Sequence, residues 1–318
     1  MKKLQLPYKS CLLLLFFMFN ILAYSQIPPG YYDSADGLSG EQLKEELNNI
    51  IDNHVEFPYT SGGTDVWDIL KETDKDTINQ NNVILLYSGW TLDGNQEYDN
   101  GNGWNREHVW AKSRGDFGTS SGPGTDVHAI RPTDISVNSA RDSRWFADCD
   151  EEYIDADGAT GSYTSSTDFF WEPRAEVKGD VARMIFYMAT RYEGENGEVD
   201  LEIVDYIPQN NYTNLPIHAK LSDLYQWHID DPVDDWERNR NDIIYYDYQE
   251  NRNPYIDHPE FVEEIWEEHL SLESESLNTE KKLLKIVDFT GREVDFKPNT
   301  PQIYMYINGT VEKKFVEE

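Results

Sequence analysis

The chain has 318 residues, with 27 Lys and Arg against 60 Asp and Glu, a formal net charge of −33. Hydrophobic residues make up 38% and aromatic ones 13%, which excludes wholesale disorder and suits one large domain or two ordinary ones. The acid excess argues against a basic groove that grips nucleic acid by charge alone, because neutralising phosphates takes clustered Lys and Arg.

Residues 1–25 read as a signal peptide: Lys2 and Lys3 precede an apolar run from Cys11 to Ala23, and Ala23-Tyr24-Ser25 offers small residues for cleavage. The run is too short to span a bilayer. Cleavage removes Cys11, leaving Cys149 alone with no intramolecular disulfide to form, and makes the chain still more acidic by removing three lysines. An exported protein of this kind must be held by its core.

Ser39-Gly40-Glu41-Gln42 has the capping-box pattern, and Leu43, Leu47, Ile50, Ile51 and His54 recur at helical spacing, predicting a helix over 40–54. Val83 to Tyr87 is a short apolar run stopped by Ser88-Gly89 and reads as a buried strand. Residues 94–125 are rich in Gly, Asn, Asp and Ser, and read as loop around an island at Trp104 to Trp110. A core helix is expected over 181–193, with further helices at 221–227 and 261–270. Residues 271–280 have linker composition, and beyond them 283–289 and 302–307 read as strands, with Asn308-Gly309 as a hairpin turn. The fold class is therefore α+β, with a mostly helical body over 26–270, a linker at 271–280 and a short β tail at 281–318.

The densest reactive side chains lie in Arg106-Glu107-His108-Val109-Trp110, Asp126-Val127-His128-Ala129-Ile130-Arg131-Pro132 and Val137-Asn138-Ser139-Ala140-Arg141. They offer a carboxylate and an amide oxygen, both hard ligands of the kind Mg²⁺ takes, together with two imidazoles and several guanidinium groups. His108 is the side chain best able to accept a proton near neutral pH.

The three segments resemble the endonuclease I family of ββα-metal (His-Me finger) nucleases, whose pattern is roughly R-E-H-V-W-P-K-S, then D-L-H-x-L-R-P-T-D, then V-N-S-x-R. Further blocks at 171–192 and 224–266 extend the similarity over about 31–270, so it is far more specific than one motif. The resemblance implies a secreted enzyme that cleaves DNA and also RNA with little sequence preference and leaves 5′-phosphate ends. It implies that His108 activates water and that Glu107 and Asn138 bind a divalent cation, Mg²⁺ first, with Mn²⁺ or Ca²⁺ as alternatives. Arg141 is expected on the phosphate as a catalytic residue, Arg106, Arg131 and Arg144 as nucleic-acid contacts, and His128 as support. The motif would be two strands and a helix. Adjacent strand residues point to opposite faces, so Glu107 and His108 are expected to share a site only if the backbone bends there. Ala111 departs from the family's proline and Ala129 from its His or Asn.

Other readings compete. A lone Glu-His pair is more often structural than catalytic, and Arg131 could equally pair with Asp126 or Asp134. Trp90, Trp104, Trp110 and Trp145 read as core residues before base-stacking ones. Asp148, Asp150, Asp155 and Asp157-Gly158 invite a calcium loop, but Tyr153 and Thr164 stand where ligands are needed, so a solvated acidic loop is expected. A calcium- or polysaccharide-binding module and a glycosidase with paired carboxylates are the rival classes. The tail, in KLLKIVDFTGREV and YMYINGTVEKKFVEE, resembles a type IX secretion sorting domain, which implies the secretion machinery as a partner and an extracellular or cell-surface location. The chain is expected to be a monomer.

Overall fold

The computed structural model describes residues 27–315 except 219, 267–269, 271–282, 290, 293 and 307–310. The expected signal peptide, the expected linker and the expected turn at Asn308-Gly309 therefore lie outside the described residues.

Helix α1 spans Gly40–Ile51 and buries Leu43, Leu47 and Ile51 completely, each contributing roughly 1.5–3 kcal/mol by leaving water. It stops at Ile51, short of His54, and the Ser39 side chain makes no cap bond, so the expected capping box does not form. True capping boxes stand elsewhere. Asp65 with Asp68 opens α2 (Val66–Thr73), and further along Asp234 with Glu237 opens α6 (Asp235–Ile243).

After α2, strands β1 (Asn82–Ile84) and β2 (Thr91–Asp93) pair antiparallel. The predicted strand at 83–87 thus ends early, and Leu85, Leu86 and Tyr87 are buried in a turn. Strand β3 (Trp104–His108) pairs antiparallel with β4 (Ile130–Asp134), in register from Trp104 opposite Asp134 to His108 opposite Ile130. Helix α3 (Ile135–Arg141) follows at once, capped by Asp134, whose carboxylate accepts from Ser136 N and Val137 N. This strand-strand-helix unit joins two apolar clusters. Trp104, Val127 and Ile130 sit among Val66, Ile69, Leu70 and Val83, while Val109, Trp110, Ala129 and Val137 sit in the larger cluster around α1 and α4 (Lys178–Arg191).

Between α3 and α4 lies a four-stranded sheet ordered β5-β8-β7-β6, from β5 (Trp145–Phe146), β6 (Glu151–Asp155), β7 (Gly158–Thr164) and β8 (Phe170–Glu172). It corrects the expected acidic loop: residues 151–164 form a hairpin whose buried positions include Thr160 and Ser162. Helix α4 is buried from Gly179 to Arg191, confirming the predicted core helix with an earlier start. Short parallel strands β9 (Glu202–Ile203) and β10 (Ile217–His218) precede α5 (Leu221–Asp230). Helix α6 runs into a π-helical turn at Ile244–Gln249, then comes α7 (Pro254–Asp257), and residues 260–266 are helical. The tail forms an antiparallel sheet of β11 (Leu283–Val287), β12 (Gln302–Tyr306) and β13 (Val311–Lys314). The fold is mixed α+β, with several small sheets. No described helix is long and apolar enough to cross a membrane.

Candidate active site

A pocket of about 660 Å³ opens beside β3 and α3, and its lining includes Asn105, Arg106, Glu107, His108, Lys112, Asn138 and Arg141. Four residues expected from sequence to work together, Glu107, His108, Asn138 and Arg141, therefore meet at one solvent-reachable cavity. They do so without the expected bend, since the β3–β4 register runs unbroken through Glu107 and His108. Successive residues of β3 leave on opposite faces, and the pocket takes side chains from both.

On one face, Tyr59 covers Arg106 and His108: the Arg106 Cζ is 3.4 Å from the ring centroid, and the imidazole is stacked at 5.6 Å. Trp67 sits at 4.0 Å from the same guanidinium. Arg106 also donates to the Tyr59 carbonyl and to Thr60 Oγ1, so this half-buried side chain is fixed as part of the pocket wall.

His108 is 6% exposed, and its Nε2 lies 3.0 Å from the Gly124 carbonyl. A carbonyl only accepts, so Nε2 carries the proton and Nδ1 keeps the basic lone pair of the neutral ring. Gly124 is required for this placement, because a Cβ there would stand 2.7 Å from the Ser120 carbonyl oxygen. Burial, opposed by the bond to Gly124 and aided by nearby Lys112, Arg106 and Arg141, pulls the imidazole down to about 4. The ring is then neutral at pH 7, the state that accepts a proton.

On the other face, Glu107 Oε1 accepts from Tyr87 O–H at 2.6 Å and lies 3.3 Å from Arg141 Nε. Burial raises this carboxyl above the ordinary range, against the pull of Arg141, Tyr87 and Lys112. Both contacts fall on Oε1, so Oε2 remains for a ligand. Asn138 Nδ2 donates to Asn105 Oδ1 at 2.7 Å, which commits the amide nitrogen and leaves the Asn138 oxygen for another donor or a cation. One carboxylate oxygen and one amide oxygen form a hard donor set, to which Mg²⁺ adds waters. Among the described residues no three His, Cys, Asp or Glu gather as a softer or more crowded metal site would need.

Arg141 differs from its expected role. It is 1% exposed and spends its guanidinium on the carbonyls of Val109 at 2.7 Å and Asp142 at 3.0 Å, with His108 O at 3.5 Å. Its Nε–H meets Glu107 as an ion pair but has no well-aligned acceptor. Arg141 thus clamps the end of β3 from beneath.

Arg131 is a correction. It is buried at 1% exposure, ion-paired to Asp74 through a short contact and to Asp180 at 3.4 Å, so it presents no face to nucleic acid, and neither Asp126 nor Asp134 is its partner. Arg144 is half-buried outside the pocket lining, donating to Ala140 O at 2.9 Å and lying over the Phe169 ring. His128 is also outside the lining, fully buried with Nε2 donating to Asn251 O at 3.1 Å. Its neighbour Asp126 accepts from Tyr187, Tyr192 and Gln249. Burial alone would raise the Asp126 carboxyl, but His54, His128 and these hydrogen bonds hold it at about 2. Trp104, Trp110 and Trp145 are core residues, at most 1% exposed.

Four further residues shape the site. Tyr87 and Asn105 hold the two oxygen donors, and Tyr59 covers the histidine. Lys112 is the exposed cation on the rim. Asn105 and Lys112 flank the Glu-His pair closely enough that proximity alone could have flagged them; Tyr59 and Tyr87 carry no local signal.

The family model described as Endonuclease I matches residues 39–260. The extracellular ribonuclease of Bacillus subtilis (strain 168) is 52% identical over 236 residues, spanning 74% of this chain and 78% of that protein. The extracellular ribonuclease of Bacillus amyloliquefaciens is also 52% identical, over 239 residues, with the same coverage of each chain.

Proposed function

Because the chain belongs to the endonuclease I family, we propose that it is an extracellular, metal-dependent endonuclease that hydrolyses phosphodiester bonds of DNA and RNA with little sequence preference, leaving 5′-phosphate ends. The observation that carries this reading is His108: its Nε2 is committed to Gly124, so a basic Nδ1 remains in the same pocket as the two oxygen donors. In this role His108 takes the proton from a water that attacks phosphorus. Water as nucleophile makes the 2′-hydroxyl unnecessary, which is why both DNA and RNA serve; the relatives named as ribonucleases support RNA.

Glu107 and Asn138 would hold the cation, Mg²⁺ fitting best, as the metal end of a ββα-metal motif formed by β3, β4 and α3. When bound there, it supplies neutralisation of the charge developing on the phosphoryl and leaving 3′ oxygens. Tyr87 and Arg141 keep the Glu107 carboxylate aimed, and Asn105 turns the Asn138 oxygen outward. Lys112 on the rim and Arg106 in the wall attract the phosphate, a local positive field on an otherwise acidic protein. Export follows from residues 1–25 as the signal, with 281–318 as a type IX sorting tail behind the 26–270 catalytic body.

The test is cleavage of plasmid DNA and of single-stranded RNA by the full chain with Mg²⁺, with EDTA, and with His108→Ala. The expected results are activity on both, none, and a loss of roughly 10²- to 10⁴-fold. A folded His108→Ala protein of wild-type activity would overturn the base assignment. RNA products ending in 2′,3′-cyclic phosphate would show the 2′-hydroxyl as nucleophile and overturn the water mechanism.

A further inference from the structure

We infer that the Tyr98 ring is a stacking platform for one unpaired nucleobase of the substrate strand, beside the phosphate that the pocket receives; the inference rests on the nuclease reading. Tyr98 lines the same pocket as Glu107 and His108 and is 59% exposed. The pocket's other aromatic rings, Tyr59 and Trp67, are already engaged by Arg106. Among the described residues the Tyr98 side chain has no hydrogen bond, ring contact or cation, so it is the ring with a face to offer.

The backbone that presents it is strained. Tyr98, Asp99 and Asn100 have φ of 54°, 32° and 54°, three successive non-glycine residues on the left-handed side. Such conformations are costly for residues with a Cβ and persist only where the surroundings over-determine them. Here the Tyr98 N–H donates to Trp104 O at 2.8 Å and the Tyr98 carbonyl accepts from Gly101 N at 2.7 Å. Trp104 is fully buried, and Gly103 admits no side chain because a Cβ would stand 1.7 Å from Gln96 O. The turn is thus anchored in the core and holds a mostly exposed aromatic residue at the pocket, a placement that gains the fold little burial.

Local charge selects what the ring takes. Asp99 is exposed beside it and Glu97 lies just before it, the latter paired with Lys71. These carboxylates repel phosphate, while the uncharged π-face of a base stacks on tyrosine regardless of sequence. The phosphate goes toward Lys112 and Arg106, and the base toward Tyr98. A base can lie on the ring only when it has left its duplex partner, so single strands are favoured over duplex.

The experiment compares wild type, Tyr98→Ala and Tyr98→Trp, as full chains, on single-stranded RNA, single-stranded DNA of the same sequence, and the blunt DNA duplex. Tyr98→Ala should raise KM on both single strands by roughly 5- to 100-fold, the range set by stacking of one base, with kcat changed much less and duplex cleavage least affected. Tyr98→Trp should restore the low KM. An abasic nucleotide at one position next to the cleaved bond should raise the wild-type KM by the same factor and leave that of Tyr98→Ala unmoved. An effect on RNA alone would indicate a 2′-hydroxyl contact and overturn the platform, as would an equal effect on duplex or no rescue by Trp. Active wild type with an unmoved KM in Tyr98→Ala would sink this inference alone; wild type inert on every strand would sink the nuclease reading and this inference together.

Discussion

Tyr87→Phe isolates the support behind Glu107. The substitution removes one hydroxyl and keeps the ring that packs edge-on against Trp171 at 5.5 Å, so shape is retained and only the 2.6 Å bond to Glu107 Oε1 is lost. Both groups are buried, and a hydrogen bond to a charged group is worth about 1.5–3 kcal/mol. The Arg141 ion pair to the same oxygen remains, which places the stability loss near the lower figure. At this size, that corresponds to a fall in Tm of roughly 3–6 °C. The larger expected effect is on metal use, because partners of this kind that orient a ligand typically change affinity by 10- to 100-fold. The assay is initial cleavage rate against Mg²⁺ concentration, with Tm measured in parallel. The half-saturating Mg²⁺ should rise by about that factor, with the rate at saturation close to wild type. If Tm falls as expected and half-saturation does not move, Tyr87 is only a core residue and Glu107 is not aimed by it.

Two further outcomes test the buried charges. Asp74→Ala removes the carboxylate shared by Arg131 and Arg240 and leaves two buried guanidinium groups with reduced compensation; unfolding in urea should show a loss of about 3–5 kcal/mol, whereas the activity per folded molecule should stay near wild type. A large activity loss at unchanged stability would return Arg131 to the substrate. Acid stability is the second. Burial holds His128 at about 4, against 6.5 in the unfolded chain, so the unfolded state binds the proton first and stability falls as pH drops from 6.5 to 4, by about 3 kcal/mol for this residue. Burial lowers His108 and His228 to about 4 as well, so they share this window, and His128→Gln should lessen the slope there in urea titrations without abolishing it; an unchanged slope would show that His128 does not contribute.

What the residues determined by themselves was whatever repeats locally or clusters in the chain. Apolar residues at helical spacing marked α1, α4 and α5, because a helix must bury one stripe wherever it ends up. Glu107, His108 and Asn138 lie within a few tens of residues, which made the reactive cluster legible, while their separate roles came from the family resemblance; the cap at Asp134 appeared only in the structure. The hairpin at 151–164 escaped notice because its inward positions include Thr160 and Ser162, so no apolar alternation announced it. Tertiary structure alone decided the charges: Arg131 found Asp74 and Asp180, 57 and 49 positions away, and became part of the interior. It likewise decided that Tyr87 would hold Glu107, and that Gly124 would take one nitrogen of His108 and leave the other basic. Periodicity is a property of the chain, but the partner of a buried charge is set by which elements the topology brings together, and desolvation makes that partner obligatory.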